Sequence, residues 1–370
     1  MNKFRKTIAV CLIAVLGIVS FTSCGEEEAK TAEAPKRASL ESSVTMTVAD
    51  GEAYSSVSKL SGDIKVDKVE SQADVIRNIK AGKCDFAVLT PIEAARLYNQ
   101  DKDIKVVTTL SLADWTIAEN GYEGDPAEEE DLVRLGGQSF VGVNDNPIVE
   151  EDEEDVQTLT DPTGQFSQDE NGTWVDKEGN PAPLDGSGNP LDEEGNPIEL
   201  TEPEEPIELK EMSEEVFQTL MAKEGYGFYD GQIEWIELDQ IGGYLEGTGA
   251  RVLGNAKNVK KATAGRDGFT DLYSLAQLWG KEFDSEIPGY VLVATDKFLD
   301  KRNYEVEGVL DIIADTLEEN QKSSDLKLVA YNVSNRGVML VRDFMEVLSE
   351  YNSDAIDGEE VDNDFYWSGK

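Results

Sequence analysis

Ala81-Gly82-Lys83-Cys84-Asp85-Phe86-Ala87-Val88-Leu89-Thr90-Pro91-Ile92-Glu93 decides how this chain is read. Phe86 to Leu89 is a four-residue apolar run without alternation, the mark of a short strand covered on both faces. Thr90-Pro91-Ile92-Glu93 starts a helix: a hydroxyl at the cap, proline in the first turn, glutamate at the third position. A buried strand that feeds a capped helix is half of a β-α-β unit, so the expected sheet is parallel.

The same pattern continues outward. Upstream, Val44 to Val48 alternates and runs into the turn Ala49-Asp50-Gly51, and Ile64 to Val69 is a second strand. Ser71 opens a helix with Asp74 at the capping-box position; Ile76 and Ile79 share its inner face and Gly82 closes it. Downstream, the helix from Thr90 runs to about Asn99 and Ile104 begins the next strand. The stretch 44–112 thus reads β-α-β-α-β. Further on, Ser139 to Val143, Ile233 to Ile236 and Tyr290 to Ala294 are strands. Ser213 is expected to cap a helix with Val216, Phe217, Leu220 and Met221 inward. Helices over 304–319 and 337–350 carry apolar residues at helical spacing, which is core patterning.

Composition narrows the function. The 370 residues carry 76 acids against 33 bases, a net charge of −43. Nucleic acid is excluded as a partner, because phosphate binding needs basic surface. Histidine is absent, which removes Ser-His-Asp and Cys-His catalysis and histidine-ligated metals. Cys11, Cys24 and Cys84 cannot form a disulfide framework or a thiolate zinc site. No cofactor or metal is expected, and no pair of carboxylates sits in a recognisable catalytic motif. Cys84, just before a buried strand, reads as a packing thiol.

The amino terminus is an address. Lys3, Arg5 and Lys6 precede a 12-residue apolar stretch over 8–19, too short to span a bilayer comfortably. Phe21-Thr22-Ser23-Cys24 follows. This resembles a bacterial lipoprotein signal, with Cys24 acylated as the first mature residue; an ordinary secretory signal is the simpler alternative. Residues 1–23 are then removed, 24–43 form a flexible tether, and the protein is held at the cell envelope by lipid.

Charge is uneven. Residues 121–220 hold 30 acids and three bases, a net of −27, which leaves −16 for everything else. Within this stretch, 150–211 is poor in apolar residues and repeats Asp-x-x-Gly at Asp169, Asp176, Asp185 and Asp192. Three of the four continue as Gly-Asn-Pro. Asp first and Gly fourth suit tight turns, so the segment reads as a solvated loop or a run of short hairpins inserted into a domain. It lacks the ligand spacing of a calcium loop.

With these elements placed, 81–91 resembles the signature of periplasmic substrate-binding proteins of ABC transporters, the nitrate/sulfonate/taurine group being most similar. Ala94 to Asn99, Asp103 to Val107, Leu135 to Val143 and 290–299 resemble successive segments of that family, as does Asp364-Phe365-Tyr366. The resemblance covers about 44–148 and 212–367. It implies an α/β fold of two lobes in a venus-flytrap arrangement, with no enzymatic activity. The first lobe would be 44–120, completed by 289–370. The second would be 121–288, with the acidic insertion 150–211 inside it. The implied function is capture of a small molecule between the lobes and its delivery to an ABC permease and its ATPase, by a monomer anchored through Cys24. The insertion has no counterpart in the family, and 247–255 replaces a Glu-Pro loop often found there. A surface lipoprotein that binds a partner through its acidic insertion is the alternative function.

Ligands of open α/β sheets sit beyond the carboxyl ends of the strands. That selects Asp50, Gly51 and Tyr54 after the first strand, Thr90, Pro91 and Ile92 after the third, and Asn144 and Asn146 in the other lobe. Ser111 and Trp115 are expected at the hinge side. Thr90 also reads as a cap alone, Asp50-Gly51 as a plain turn, and Asn144 to Pro147 as a lead into the insertion. Arg251 and Arg266 are candidate countercharges for an anion, or surface residues.

Overall fold

The computed structural model describes residues 40–60, 62–122, 135–144, 165–168, 173–177, 180–186, 188–192, 195–198, 207–229, 231–247, 249–322, 327–329 and 334–369. The signal, Cys24 and Asn146 lie outside the described residues. In chain order the elements are β1 (Val44–Ala49), α1 (Glu52–Val57), β2 (Ile64–Val69), α2 (Gln72–Lys80), β3 (Phe86–Leu89), α3 (Pro91–Asp101), β4 (Ile104–Leu112), β5 (Trp115–Asn120) and β6 (Phe140–Asn144). Then come β7 (Phe166–Gln168), β8 (Trp174–Asp176), α4 (Met212–Lys223), β9 (Ile233–Glu237), β10 (Arg251–Asn255), α5 (Ala256–Thr263), β11 (Phe269–Ser274) and α6 (Leu275–Phe283). The chain closes with β12 (Pro288–Thr295), α7 (Asp296–Arg302), α8 (Val306–Asn320), β13 (Lys327–Leu328) and α9 (Ser334–Tyr351).

Two sheets share one plan. The first runs β13-β4-β12-β3-β1-β2 and the second β11-β5-β10-β6-β9. In the first, β1 lies between β2 and β3, all parallel, and β12 enters antiparallel between β3 and β4. In the second, β6 lies between β9 and β10, all parallel, and β5 enters antiparallel between β10 and β11. Each sheet therefore holds one strand supplied by the other half of the chain. The chain crosses between Leu112 and Trp115, and again between Phe283 and Pro288; Ala113 N–H donates to the Ile287 carbonyl at 3.0 Å, joining the two crossings. Because β5 pairs in the second sheet, the first crossing comes at 113–114, ahead of the boundary at 120 that the sequence suggested.

The opening motif has a physical role in this sheet. Asp85 Oδ2 accepts from the Thr45 N–H at 2.8 Å and from its hydroxyl at 3.1 Å, pinning β3 to β1. The Asp85 carbonyl accepts from Thr295 N–H at 3.0 Å, pinning β3 to β12. Both faces of β3 are covered, as the unbroken apolar run requires: Ala87 and Leu89 join one core cluster, Phe86 and Val88 another. The expected capping box of α2 is present, with Ser71 and Asp74 each accepting from the other's N–H at 3.1 Å. The expectation for Ser213 fails: its hydroxyl donates to Glu211 Oε1 at 3.0 Å, and α4 begins one residue earlier without a side-chain cap.

In the acidic segment the described residues form short hairpins. Asp176, Asp185 and Asp192 each accept, through Oδ1, the N–H of the asparagine four residues on, at 2.8, 2.9 and 2.7 Å. Isolated bridges Val175–Pro181, Leu184–Pro190 and Leu191–Pro197 repeat with the Asp-x-x-Gly-Asn-Pro unit. The last residues of the segment pack differently. Glu93 and Arg96 of α3 are buried and paired at 3.3 Å; Glu93 accepts from Lys210 N–H at 2.7 Å, and Arg96 donates to the Glu208 carbonyl at 2.6 Å and to Asp357 at 3.0 Å. Ile207 and Leu209 lie against the main core.

Residues 207–211 are therefore part of the fold. Replacing 150–206 with a short Gly/Ser linker is expected to keep one cooperative melt, since closure entropy changes slowly with loop length. Extending the deletion through 211 leaves Glu93 without its backbone donor and is expected to cost a further 1–3 kcal/mol or so. Urea melts of the two deletions make the comparison; equal midpoints would show that 207–211 holds nothing.

Candidate functional site

The carboxyl ends of β1 and β10 meet. Asn255, the last residue of β10, donates from Nδ2 to Glu52 Oε1 at 2.7 Å, joining residues 203 positions apart. Its Oδ1 accepts from Asn258 N–H at 2.8 Å and so caps α5. Glu52 stands in the first turn of α1, after Gly51, whose φ of 90° and ψ of −135° suit a residue without Cβ. The strand end that carries Asn255 is set by a close approach. A Cβ at Gly254 would lie 2.5 Å from the Val143 carbonyl oxygen, so glycine is what lets β10 lie against β6 there.

Around this contact lie several predicted residues. Asp50 pairs with Lys68 at 2.7 Å, and that bond holds its carboxyl below the usual range. Lys68 also sits 5.3 Å from the centre of the Tyr54 ring, and Tyr54 packs against the cluster under α1. Thr90 caps α3, accepting from Glu93 N–H at 3.3 Å, with Pro91 and Ile92 buried behind it. Trp115 stands opposite Asn255 in the β5–β10 pairing. Ser111 is buried in β4 and accepts the Tyr290 N–H at 3.1 Å, so it fixes the start of β12 beside the crossing. Asn144 ends β6 opposite Glu237.

Two expected countercharges lie elsewhere. Arg251 opens β10 and pairs with Glu119 at 2.8 Å, about 13 Å of strand from Asn255. Arg266 donates to the carbonyls of Ala262 and Gly242. Cys84 is a packing thiol, with burial pushing its pKa up to about 11. Among the described residues no group of three acidic or cysteine side chains is placed to hold a metal ion, and no helix is long and apolar enough to cross a membrane. A shallow crease between β4 and α8, lined by Thr108, Thr109, Leu310, Ile313 and Leu317, contains none of the candidate residues.

Sequence reasoning missed Glu52, Asn255 and Tyr290. Tyr290 precedes Val291, which pairs with Leu89, so it stands at the same sheet edge as Thr90. The short apolar pair Val252-Leu253 followed by Asn255, a good N-cap residue, was the available signal, obscured by the glycines at 247, 249 and 254.

No family model matches the chain, and no curated protein is similar to it in sequence. Solved structures are similar in fold. One is an ABC transporter protein from Parabacteroides distasonis, with 13% identity over 89% of this chain and 100% of that one, TM-score 0.48. Another is the periplasmic aliphatic sulphonate binding protein SsuA from Escherichia coli, with 9% identity over 88% and 83%, TM-score 0.46. A third is the ligand binding component of an ABC-type import system from Staphylococcus aureus, with 9% identity over 88% and 97%, TM-score 0.46.

Gly254→Ala is expected to destabilise the protein by about 1–3 kcal/mol, because the methyl meets fixed backbone; an unchanged denaturation midpoint would contradict the close approach. Thr90→Val removes the α3 cap and is expected to cost about 1 kcal/mol in the same assay.

Proposed function

We infer that this protein is a solute-binding component of an ABC import system, anchored to the cell envelope through lipid on Cys24. The observation that carries the reading is the meeting of the carboxyl ends of β1 and β10 across two sheets of one plan, through Glu52 and Asn255. Strand ends are where α/β sheets take ligands, and two sheets joined by two crossings form a crevice that closes by hinge motion. The resemblance at 81–91 supports the same reading. Asp50, Gly51, Tyr54, Thr90, Pro91 and Ile92 would lie on one wall, Asn144 and Asn146 on the other, with Ser111 and Trp115 at the hinge. A solute that touches both walls binds the closed form alone and shifts the population toward it.

Closure is tested without knowing the solute. Asn255→Asp keeps the α5 cap, since aspartate caps as well as asparagine, but sets a second carboxylate against Glu52. A larger radius of gyration by small-angle X-ray scattering is expected; an unchanged radius would mean that Glu52 and Asn255 do not hold moving parts together. A solute at 100 times its dissociation constant is expected to add about 2.7 kcal/mol to the unfolding free energy, read as a thermal shift in a screen of nitrate, sulfonates, amino acids and pyrimidines. Anchoring has its own check: Cys24→Ser is expected to release the protein from the detergent phase, and unchanged partitioning would refute acylation at Cys24.

A further inference from the structure

Two buried carboxylates stand where the two halves of the chain meet. Glu93 belongs to α3. Glu215 belongs to α4, which packs on the second sheet through Phe217, its ring 5.0 Å from that of Phe140. The two glutamates are 3% and 6% exposed. The returning stem of the acidic segment, 207–211, leads straight into α4 and touches both. Its Lys210 N–H donates to Glu93 at 2.7 Å, and the Lys210 ammonium lies 3.5 Å from Glu208 and 4.0 Å from Glu215. Glu215 also accepts from Nδ2 of Asn352, the residue after α9, at 2.8 Å.

The charges at this seam do not balance. Facing Glu93 are Arg96 on its own helix, the Lys210 N–H and Asp357. Facing Glu215 are Asn352, Lys210, Glu214 and Arg96. Arg96 is shared between Glu93 at 3.3 Å and Asp357 at 3.0 Å, with Glu208 close by. Among the described residues, then, the five carboxylates of Glu93, Glu208, Glu214, Glu215 and Asp357 share two bases. A carboxylate taken out of water with only part of a base beside it is costly, and a proton removes the cost. Burial accordingly pushes both Glu93 and Glu215 above the usual carboxylate range.

We propose that this seam is a proton-controlled latch: Glu93 and Glu215 hold protons while the stem ties α3 to α4 and release them when it parts, so mild acid keeps the two halves joined here and rising pH loosens them. The latch concerns the joint between the halves and stands whether or not a solute binds. A protonated Glu93 still offers an oxygen to the Lys210 N–H, and Arg96 keeps Asp357 and the Glu208 carbonyl. The joined seam binds more protons than the parted one, so the tie weakens as pH rises through the window just above the usual carboxylate range.

Hydrogen exchange of the detergent-solubilised mature protein, followed on peptides covering 207–211 and corrected for the intrinsic effect of pH, tests this between about pH 5 and about pH 8. Protection of the stem is expected to fall severalfold across that range, while protection of β1 stays level. Glu93→Gln with Glu215→Gln keeps the acceptors and removes the charges; the double variant is expected to hold the stem at its acid level of protection throughout, and each single variant to show part of the fall. A level wild-type profile would overturn the latch whatever the variants do. So would a fall that the double variant shares, or one that β1 shares, since either would belong to general repulsion in a chain of net charge −43. A double variant unprotected at every pH would also overturn it, because ionised carboxylates would then be what holds the stem.

Discussion

Neither sheet can be completed by a contiguous piece of chain, and the rest of the structure follows from that. β12 must return from beyond the second sheet to fill the place between β3 and β4, and β5 must leave the first half at once to fill the place between β10 and β11. The long-range pairings are the central ones: Val291 against Leu89 and Leu253 against Ile117. Loop-closure entropy is lost before such contacts form, so folding has to be cooperative across both halves. The exchange also fixes the pivot. The two crossings bond to each other through Ala113 and Ile287, and Gly289 lies so close to Ser111 that a Cβ there would stand 2.8 Å from its Oγ. The two sheets also share a core away from the crossings, where Trp279 of α6 packs on Phe344 of α9 and Asn352 bonds to Glu215 of α4.

The closing contact itself is modest. A single hydrogen bond to a charged group contributes roughly 1.5–3 kcal/mol, whereas moving a two-state equilibrium from 1:99 to 99:1 takes about 5.5 kcal/mol. The Asn255–Glu52 bond alone is therefore a weak link between the two sheets, next to contacts such as Trp279 on Phe344 and Asn352 on Glu215. The cap geometry makes this contact reusable. Asn255 stays oriented by its bond to the Asn258 N–H whether or not Glu52 is within reach.

What was legible in the sequence was local. The capping box at Ser71 and Asp74, the Thr90 cap, the four-residue buried strand and the helical stripes each depend on neighbours within a few positions, and each stands where its spacing put it. The Asp-x-x-Gly-Asn-Pro units fold as hairpins for the same reason, because aspartate binds backbone four residues on. Strand exchange was not legible. Nothing in Trp115-Thr116-Ile117-Ala118-Glu119-Asn120 says that it pairs with residues 132–158 positions later, so the first lobe was drawn a strand too long. The site was half legible for the same reason. Asp50 and Thr90 follow strands of the run that could be read. Asn255 and Tyr290 are placed by pairings across the whole chain. Ser213 shows the opposite error, a local signal overridden when the Glu211 carboxylate two residues back took its hydroxyl.

The distribution of charge joins these points. Residues 121–220 carry −27 of the net −43, and the acidic segment does not leave the fold at an arbitrary place. It departs after Asn144, at the same end of the second sheet as Asn255, since Val143 pairs with Gly254. It returns through 207–211, where Lys210 is tied to Glu93 in the first turn of α3, directly after the Thr90 cap. Both stems thus stand beside the carboxyl ends of strands in the two sheets. Screening limits the reach of such charge to about 8 Å at physiological salt, so it acts little on groups buried in the fold. What it changes is the surroundings: a dense run of carboxylates raises the local concentration of small cations and lowers that of anions.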